Sequence, residues 1–208
     1  MSPDSTDPLI AGYRRFRADH WPAAKAEYEA LAADGQTPHT LIVACSDSRA
    51  DPALIFDAAP GQLFVVRNVA NLVPPYEPDG KLHGVSAALE FGVKALNVSR
   101  IVVMGHAHCG GIAAMRDGAP EAVQDFVAPW IAQGTPVVRR IAETVEPDQI
   151  ERATEEAVVR LSLDNLRTFP WIAEREAAGT LELTGLHFGI AEGMLRKLTS
   201  APRFEPLS

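Results

Sequence analysis

The sequence predicts an α/β fold with a mostly parallel central sheet flanked by helices. Short, uninterrupted apolar runs occur at Leu41-Ile42-Val43-Ala44, Leu63-Phe64-Val65-Val66 and Ile101-Val102-Val103-Met104. None alternates with polar residues, so each is expected to be buried on both faces. Between the second and third runs, Val85, Ala88, Leu89, Val93 and Leu96 recur at helical spacing across residues 83–96. Non-alternating strands separated by helical stretches are the pattern of a parallel sheet covered on both sides.

Residues 1–8 read as a tail. Residues 9–35 read as a helical arm carrying Tyr13, Phe16, Trp21, Tyr28 and Leu31 among alanines and charges. Pro22 fits the first turn of a second helix within that arm, because proline there has no intrahelical N–H to lose. An aromatic arm of this kind is expected to pack on a partner subunit. Residues 110–178 read as helical, broken near Pro120, Pro136, Pro147 and Pro170. A strand resumes at Leu181-Glu182-Leu183-Thr184, and Gly193 marks a turn into a short edge strand at Met194–Leu198. No linker divides the chain, so residues 1–208 are expected to form one domain.

Composition narrows the function. Across 208 residues, 47% are hydrophobic and 22% charged, ordinary for a globular protein. The net charge of −8, with no sustained Lys/Arg cluster, argues against nucleic acid or an anionic membrane as partner. No apolar run has the length of a bilayer crossing, and the acidic N-terminus lacks the order of a secretion signal. A cytoplasmic location is expected. Only Cys45 and Cys109 are cysteines, too few for a disulfide scaffold.

Their neighbours give them a role. Cys45-Ser46-Asp47-Ser48-Arg49 follows the first apolar run, and Gly105-His106-Ala107-His108-Cys109-Gly110-Gly111 follows the third. In open parallel sheets functional groups gather at the carboxyl ends of strands, which puts both segments at one edge. Thiolate and imidazole suit zinc, and three protein donors leave a fourth position for water. A His-x-x-Cys step recurs by chance, but gains weight from a cysteine at the end of another central strand. Cys109 is expected at a helix N-terminus, where the dipole favours its thiolate. His106 is better spaced than His108 to share a metal with Cys109. His20, His39, His83 and His187 have no ligand-like spacing. Asp47 could cap a helix, or accept a hydrogen bond beside the metal while Arg49 forks onto it.

The sequence resembles the β-class carbonic anhydrases over roughly residues 9–198. The likeness rests on Cys45-Ser46-Asp47-Ser48-Arg49, on Pro60-Gly61-Gln62-Leu63-Phe64-Val65-Val66-Arg67-Asn68-Val69-Ala70-Asn71, and on Gly105-His106-x-x-Cys109-Gly110-Gly111. The segment Gly185-x-x-Phe188-Gly189-Ile190-x-x-Gly193 adds to it. The resemblance implies zinc (Zn2+) on Cys45, His106 and Cys109, an Asp47–Arg49 catalytic pair, and a homodimer or higher homo-oligomer. Asp47, two residues from Cys45, could also complete the zinc shell as a fourth ligand in a closed state. One subtype binds bicarbonate at a locking site and carries Trp three residues before the first zinc cysteine; here that position is Ile42. Val69, Val73-Pro74-Pro75-Tyr76 and Gln36 instead look like the plant-type enzymes, in which such a Gln crosses the dimer interface. The substrate-binding residues so implied are Gln36, Phe64, Val69 and Gly110. Phe91 departs from the pattern, standing where plant-type enzymes have Tyr.

The expected reaction is reversible hydration of carbon dioxide to bicarbonate and a proton, by attack of zinc-bound hydroxide oriented by Asp47. His108 and Tyr76 are candidate proton carriers. Two other readings share the metal: hydrolysis of carbonyl sulfide or carbon disulfide, and a non-catalytic, bicarbonate-responsive regulator. A zinc nucleobase deaminase is disfavoured, since its His-x-Glu and Cys-x-x-Cys elements are missing.

Overall fold

The computed structural model describes residues 7–201 and 203–207. The expected tail lies outside the described residues up to position 6. The chain divides into two compact units at Thr37.

The first unit is helical. Helix α1 (Pro8–Arg15) starts where Asp7 caps it, its carboxylate accepting from the Leu9 amide at 2.8 Å. A π-helical turn (Phe16–His20) leads into α2 (Trp21–Asp34), with Pro22 in its first turn. The rings of Trp21 and Tyr28 lie 5.2 Å apart, and Phe16 stands edge-on to Tyr28. None of the residues in these three helical segments is buried.

The second unit is built on a six-stranded sheet in the order β2-β1-β3-β4-β5-β6. Strands β1 (Thr40–Cys45), β2 (Leu63–Asn68), β3 (Arg100–His106) and β4 (Glu182–Gly189) run parallel. Strands β5 (Met194–Leu198) and β6 (Phe204–Pro206) continue the sheet antiparallel. Gly193, at φ 63°, supplies the left-handed residue of the β4–β5 turn. β5 is not the edge strand expected from sequence, because β6 pairs outside it through Leu198 and Phe204.

Side chains alternate between the faces of the buried strands. Leu41 and Val43 of β1 and Ile101 and Val103 of β3 share a core with Leu89, Val93, Leu163 and Phe169. Those partners come from α4 (Gly84–Glu90) with its π-helical extension (Phe91–Ala95), from α8 (Ile150–Leu166), and from the start of α9 (Pro170–Ala177). Ile42, Ala44, Val102 and Met104 face the other way, with Ile55, which ends α3 (Pro52–Ile55), and the neighbouring Phe56. The unit also contains the helices α5 (Gly110–Asp117), α6 (Val127–Ile131) and α7 (Thr135–Ala142). Pro136 and Pro170 stand in the first turns of α7 and α9. Among the described residues no helix is long and apolar enough to cross a membrane.

Candidate metal centre

From β1 the chain moves outward to β2, then crosses back to β3 on the other side. The crevice between the carboxyl ends of β1 and β3 is therefore a topological switch point, where open α/β sheets place their ligands. Cys45 is the last residue of β1 and His106 the last of β3. Three residues later Cys109 stands as the N-cap of α5.

One donor atom from each of Cys45, His106 and Cys109 lies within 4.8 Å of the other two, and all three residues are buried. The two sulfurs are 3.9 Å apart. Two thiolates on a tetrahedral zinc, at about 2.3 Å each, stand roughly 3.8 Å apart. The imidazole is oriented by its neighbour: His106 Nδ1 donates to the Ala107 carbonyl at 2.9 Å. That bond fixes the tautomer and leaves the Nε2 lone pair for a ligand. Nε2 is buried and has no hydrogen-bond partner among the described residues. A buried, unsatisfied nitrogen is costly, and a cation between the sulfurs satisfies it.

The sulfurs are already polarised. The contact with Cys109 holds the Cys45 thiol down at about 4 against the opposing effect of burial, helped by the nearby His106 ring and by the Asp47 and Ala70 amides. Cys109 moves up, because the Cys45 sulfur beside it favours its protonated form and it is itself buried. The Ile112 and Gly111 amides at the start of α5 pull Cys109 the other way. A cation bound between two thiols displaces their protons, so its affinity is tied to pH.

Beside the donors, Arg49 forks onto Asp47. Nε reaches Oδ1 at 2.9 Å and Nη2 reaches Oδ2 at 2.7 Å, while the Arg49 amide also donates to Oδ1 at 2.9 Å. The Arg49 guanidinium holds the Asp47 carboxyl well below the usual carboxylate range. Asp47 caps no helix; Asp51 does that for α3, accepting from the Ala53 amide at 2.9 Å. Arg49 Nη2 also reaches the His108 carbonyl at 3.2 Å, joining the loop after β1 to the loop after β3. The His108 side chain is exposed and pairs with Glu151 at 3.0 Å, so it takes no part in the donor group.

The other expected site residues fall in different places. Val69 sits on a 3-10 turn (Val69–Asn71) and packs among the apolar residues around Cys45 and Cys109. It also lines an apolar concavity of about 530 Å³ with Leu82, Phe126 and Trp130. Gly110 opens α5, and a Cβ there meets nothing within 4 Å. Phe64 is paired in register with Leu41, at the far end of the strands from the Cys45–Asn68 pair. Within one chain it is not brought to the donor cluster; it packs on Phe91, ring to ring at 5.9 Å. Gln36 lies in the first unit, exposed, just after α2.

Three supports were not found from sequence. Arg67 donates to the Cys45 carbonyl at 2.9 Å, the Asp47 carbonyl at 2.6 Å and the Asp51 carboxylate at 2.7 Å. It pins the whole loop after β1. Trp130 Nε1 donates to the Val69 carbonyl at 2.8 Å. His187, without ligand-like spacing in the sequence, is buried and paired with Glu155 at 2.8 Å. A histidine within a buried strand is a polar interruption that could have drawn notice; nothing in the spacing of Arg67 or Glu155 sets them apart.

Fold and donor set together define an α/β protein with a three-donor site, two sulfurs and one nitrogen, suited to zinc. Residues 40–195 match the family model described as carbonic anhydrase. The chain belongs to the β-carbonic anhydrases, a family of lyases. It is 35% identical to β-carbonic anhydrase 3 of Arabidopsis thaliana over 91% of this chain and 75% of that protein. It is 38% identical to the chloroplastic β-carbonic anhydrase 5 of the same plant, over 80% of this chain and 56% of that longer protein. Among solved structures, the β-carbonic anhydrase CcaA superposes with a TM-score of 0.86 at 31% identity, covering 96% of this chain and 91% of that one. A tetrameric β-carbonic anhydrase of Sordaria macrospora gives 0.73 at 29% identity, covering 91% and 97%.

Proposed function

We propose that this protein catalyses the reversible hydration of carbon dioxide to bicarbonate and a proton, using zinc held by Cys45, His106 and Cys109. The observation that carries the reading is the buried, unpartnered His106 Nε2 grouped with two buried sulfurs that stand 3.9 Å apart. Zinc at that position supplies Lewis acidity, bringing the pKa of a water in its open position down to about 7.

The chain's own residues set up the rest. Asp47, ionised at neutral pH and therefore an acceptor only, stands with Oδ2 4.0 Å from His106 Nε2. There it would accept a hydrogen bond from the attacking water and orient its oxygen toward the carbon. Arg49 occupies both carboxylate oxygens and keeps Asp47 in the open arrangement, off the metal position. Val69 offers a small apolar wall suited to a substrate with little charge to grip. Gly110 adds open space at the start of α5.

The active unit in this reading is a homodimer or a larger homo-oligomer. Phe64 stands at the wrong end of its own strand to touch the site, so a role in substrate binding requires it to come from a second copy. Gln36 is read the same way, on an arm whose helices bury no residue of their own. The tetrameric Sordaria relative supports this. The plant-type reading draws support from Ile42, packed on the sheet face with Ala44 and Met104.

Zinc analysis and stopped-flow hydration test the proposal together. One zinc per chain with hydration well above buffer supports it. Full zinc with hydration at the buffer rate favours a regulator, and faster sulfide release from carbonyl sulfide than hydration reassigns the substrate.

A further inference from the structure

The peptide group joining His108 to Cys109 is held at both ends. Its carbonyl accepts from Arg49 Nη2 at 3.2 Å, and its N–H donates to Glu155 Oε1 at 3.4 Å. His108 sits at φ 56°, a left-handed conformation unusual outside glycine. A peptide in that setting needs partners to keep its orientation, and Cys109 hangs directly from it.

Glu155 is an unexpected residue for its position. It lies on the buried side of α8 beside Ala157, Val158 and Val159, and is only 3% exposed. A carboxylate out of water is expensive unless it is fully partnered. Its second oxygen accepts from His187 Nε2 at 2.8 Å, and His187 on β4 is 1% exposed. The fold makes room for the pair. Gly105 is the register partner of His187, and a Cβ there meets Val159 Cγ2 at 2.8 Å and the Glu155 carbonyl at 3.8 Å. The missing side chain lets α8 approach β3 closely enough for Glu155 to reach the loop.

We propose that Glu155, oriented by His187, is a positioning residue for the metal ligand Cys109. Arg49 from one side and Glu155 from the other fix the 108–109 peptide, and so fix where the Cys109 sulfur points. The carboxylate touches neither sulfur nor substrate; it acts through the backbone. This inference rests on the metal-binding reading above.

Zinc retention tests it. Wild type, Glu155→Leu, Glu155→Gln and His187→Gln are loaded with zinc and mixed with excess chelator, and thermal midpoints are measured with and without zinc. Glu155→Leu is expected to release zinc about 10- to 100-fold faster, and to show a smaller zinc-induced rise in midpoint. Glu155→Gln keeps an oxygen for the Cys109 amide and is expected to stay close to wild type. Wild-type release from Glu155→Leu overturns the proposal. So does an equal loss of midpoint with and without zinc, which would make Glu155 a packing residue. A Glu155→Gln as leaky as the leucine variant rules out the amide contact as the cause. Should Glu155→Leu fail to fold, His187→Gln decides: faster release supports the proposal and unchanged release overturns it. Wild-type protein without stoichiometric zinc would instead sink the metal reading itself.

Discussion

Arg49 grips both oxygens of Asp47, at 2.9 and 2.7 Å, while Asp47 Oδ2 stands 4.0 Å from the free nitrogen of His106. The carboxylate is close enough to reach a metal and is held away from it by its own loop neighbour. Arg49→Ala is expected to keep zinc at one per chain and lose hydration activity by about tenfold or more. Arg49→Lys should recover little, since an ammonium has no planar fork. Unchanged turnover in Arg49→Ala, with zinc content confirmed, contradicts the arrangement.

Zinc affinity should depend on pH with a definite slope. Cys45 is held at about 4, so above that pH one thiolate already stands. Cys109 is shifted upward by the Cys45 sulfur and by burial. His106 is pushed down by burial, but the Cys45 sulfur and the Ala107 carbonyl outweigh this and leave it above its ordinary value. Loading a cation therefore displaces one proton above the imidazole pKa and two below it. Affinity is expected to rise about tenfold per pH unit on the alkaline side and about a hundredfold per unit on the acid side. Competition with a chelator between about pH 5.5 and 8.5 measures this, and a flat profile would disprove it.

Two adjacent glycines should separate packing from access. A Cβ on Gly111 comes within 2.7 Å of Val69 Cγ1 and 3.0 Å of Ala70 Cβ. Gly111→Ala should cost about 1–3 kcal/mol by forcing α5 off the turn it rests on. A Cβ on Gly110 meets nothing within 4 Å. Gly110→Ala should leave the thermal midpoint in place and lower kcat/KM by crowding the substrate approach. A midpoint that falls equally in both variants speaks against that division.

The close approach of β3 and α8 makes a third case. Gly105→Ala sets a methyl 2.8 Å from Val159 Cγ2, an overpacking expected to cost about 1–3 kcal/mol. Val159→Ala, in the double variant, should return part of that loss as a favourable coupling. Denaturant midpoints of the two single variants and the double variant decide it; strict additivity would mean the strain lies elsewhere.

Much of this architecture is legible in residue order, for physical reasons. Strands β1, β2 and β3 announce themselves because both faces are buried, and Met194–Leu198 follows at once from the turn at Gly193. Cys45, Asp47, Arg49, His106 and Cys109 stand out because strand ends gather function and the side chains are chemically distinctive. β6 is not legible: Phe204-Glu205-Pro206 is three residues long and ends in proline, and only its pairing with β5 defines it. The break of residues 83–96 into an α-helix and a π-helical turn is invisible to an apolar spacing that fits either. Glu155 is one of several acidic residues on α8, and its contacts with Cys109 and His187 lie 46 and 32 residues away. Phe64 shows the converse. A resemblance marks the residue, but register alone reveals that its own site is out of reach.

The two sulfurs are 64 residues apart, and β1 meets β3 only after β2 and α4 have been laid down between them. A nascent chain that has emerged only as far as β2 carries a solitary thiol with no partner. If a cation is captured here, capture waits for the crossover connection to close, and metallation would be a checkpoint on correct topology. Chains that miss that closure leave Cys45 exposed to the chemistry of an unprotected thiol.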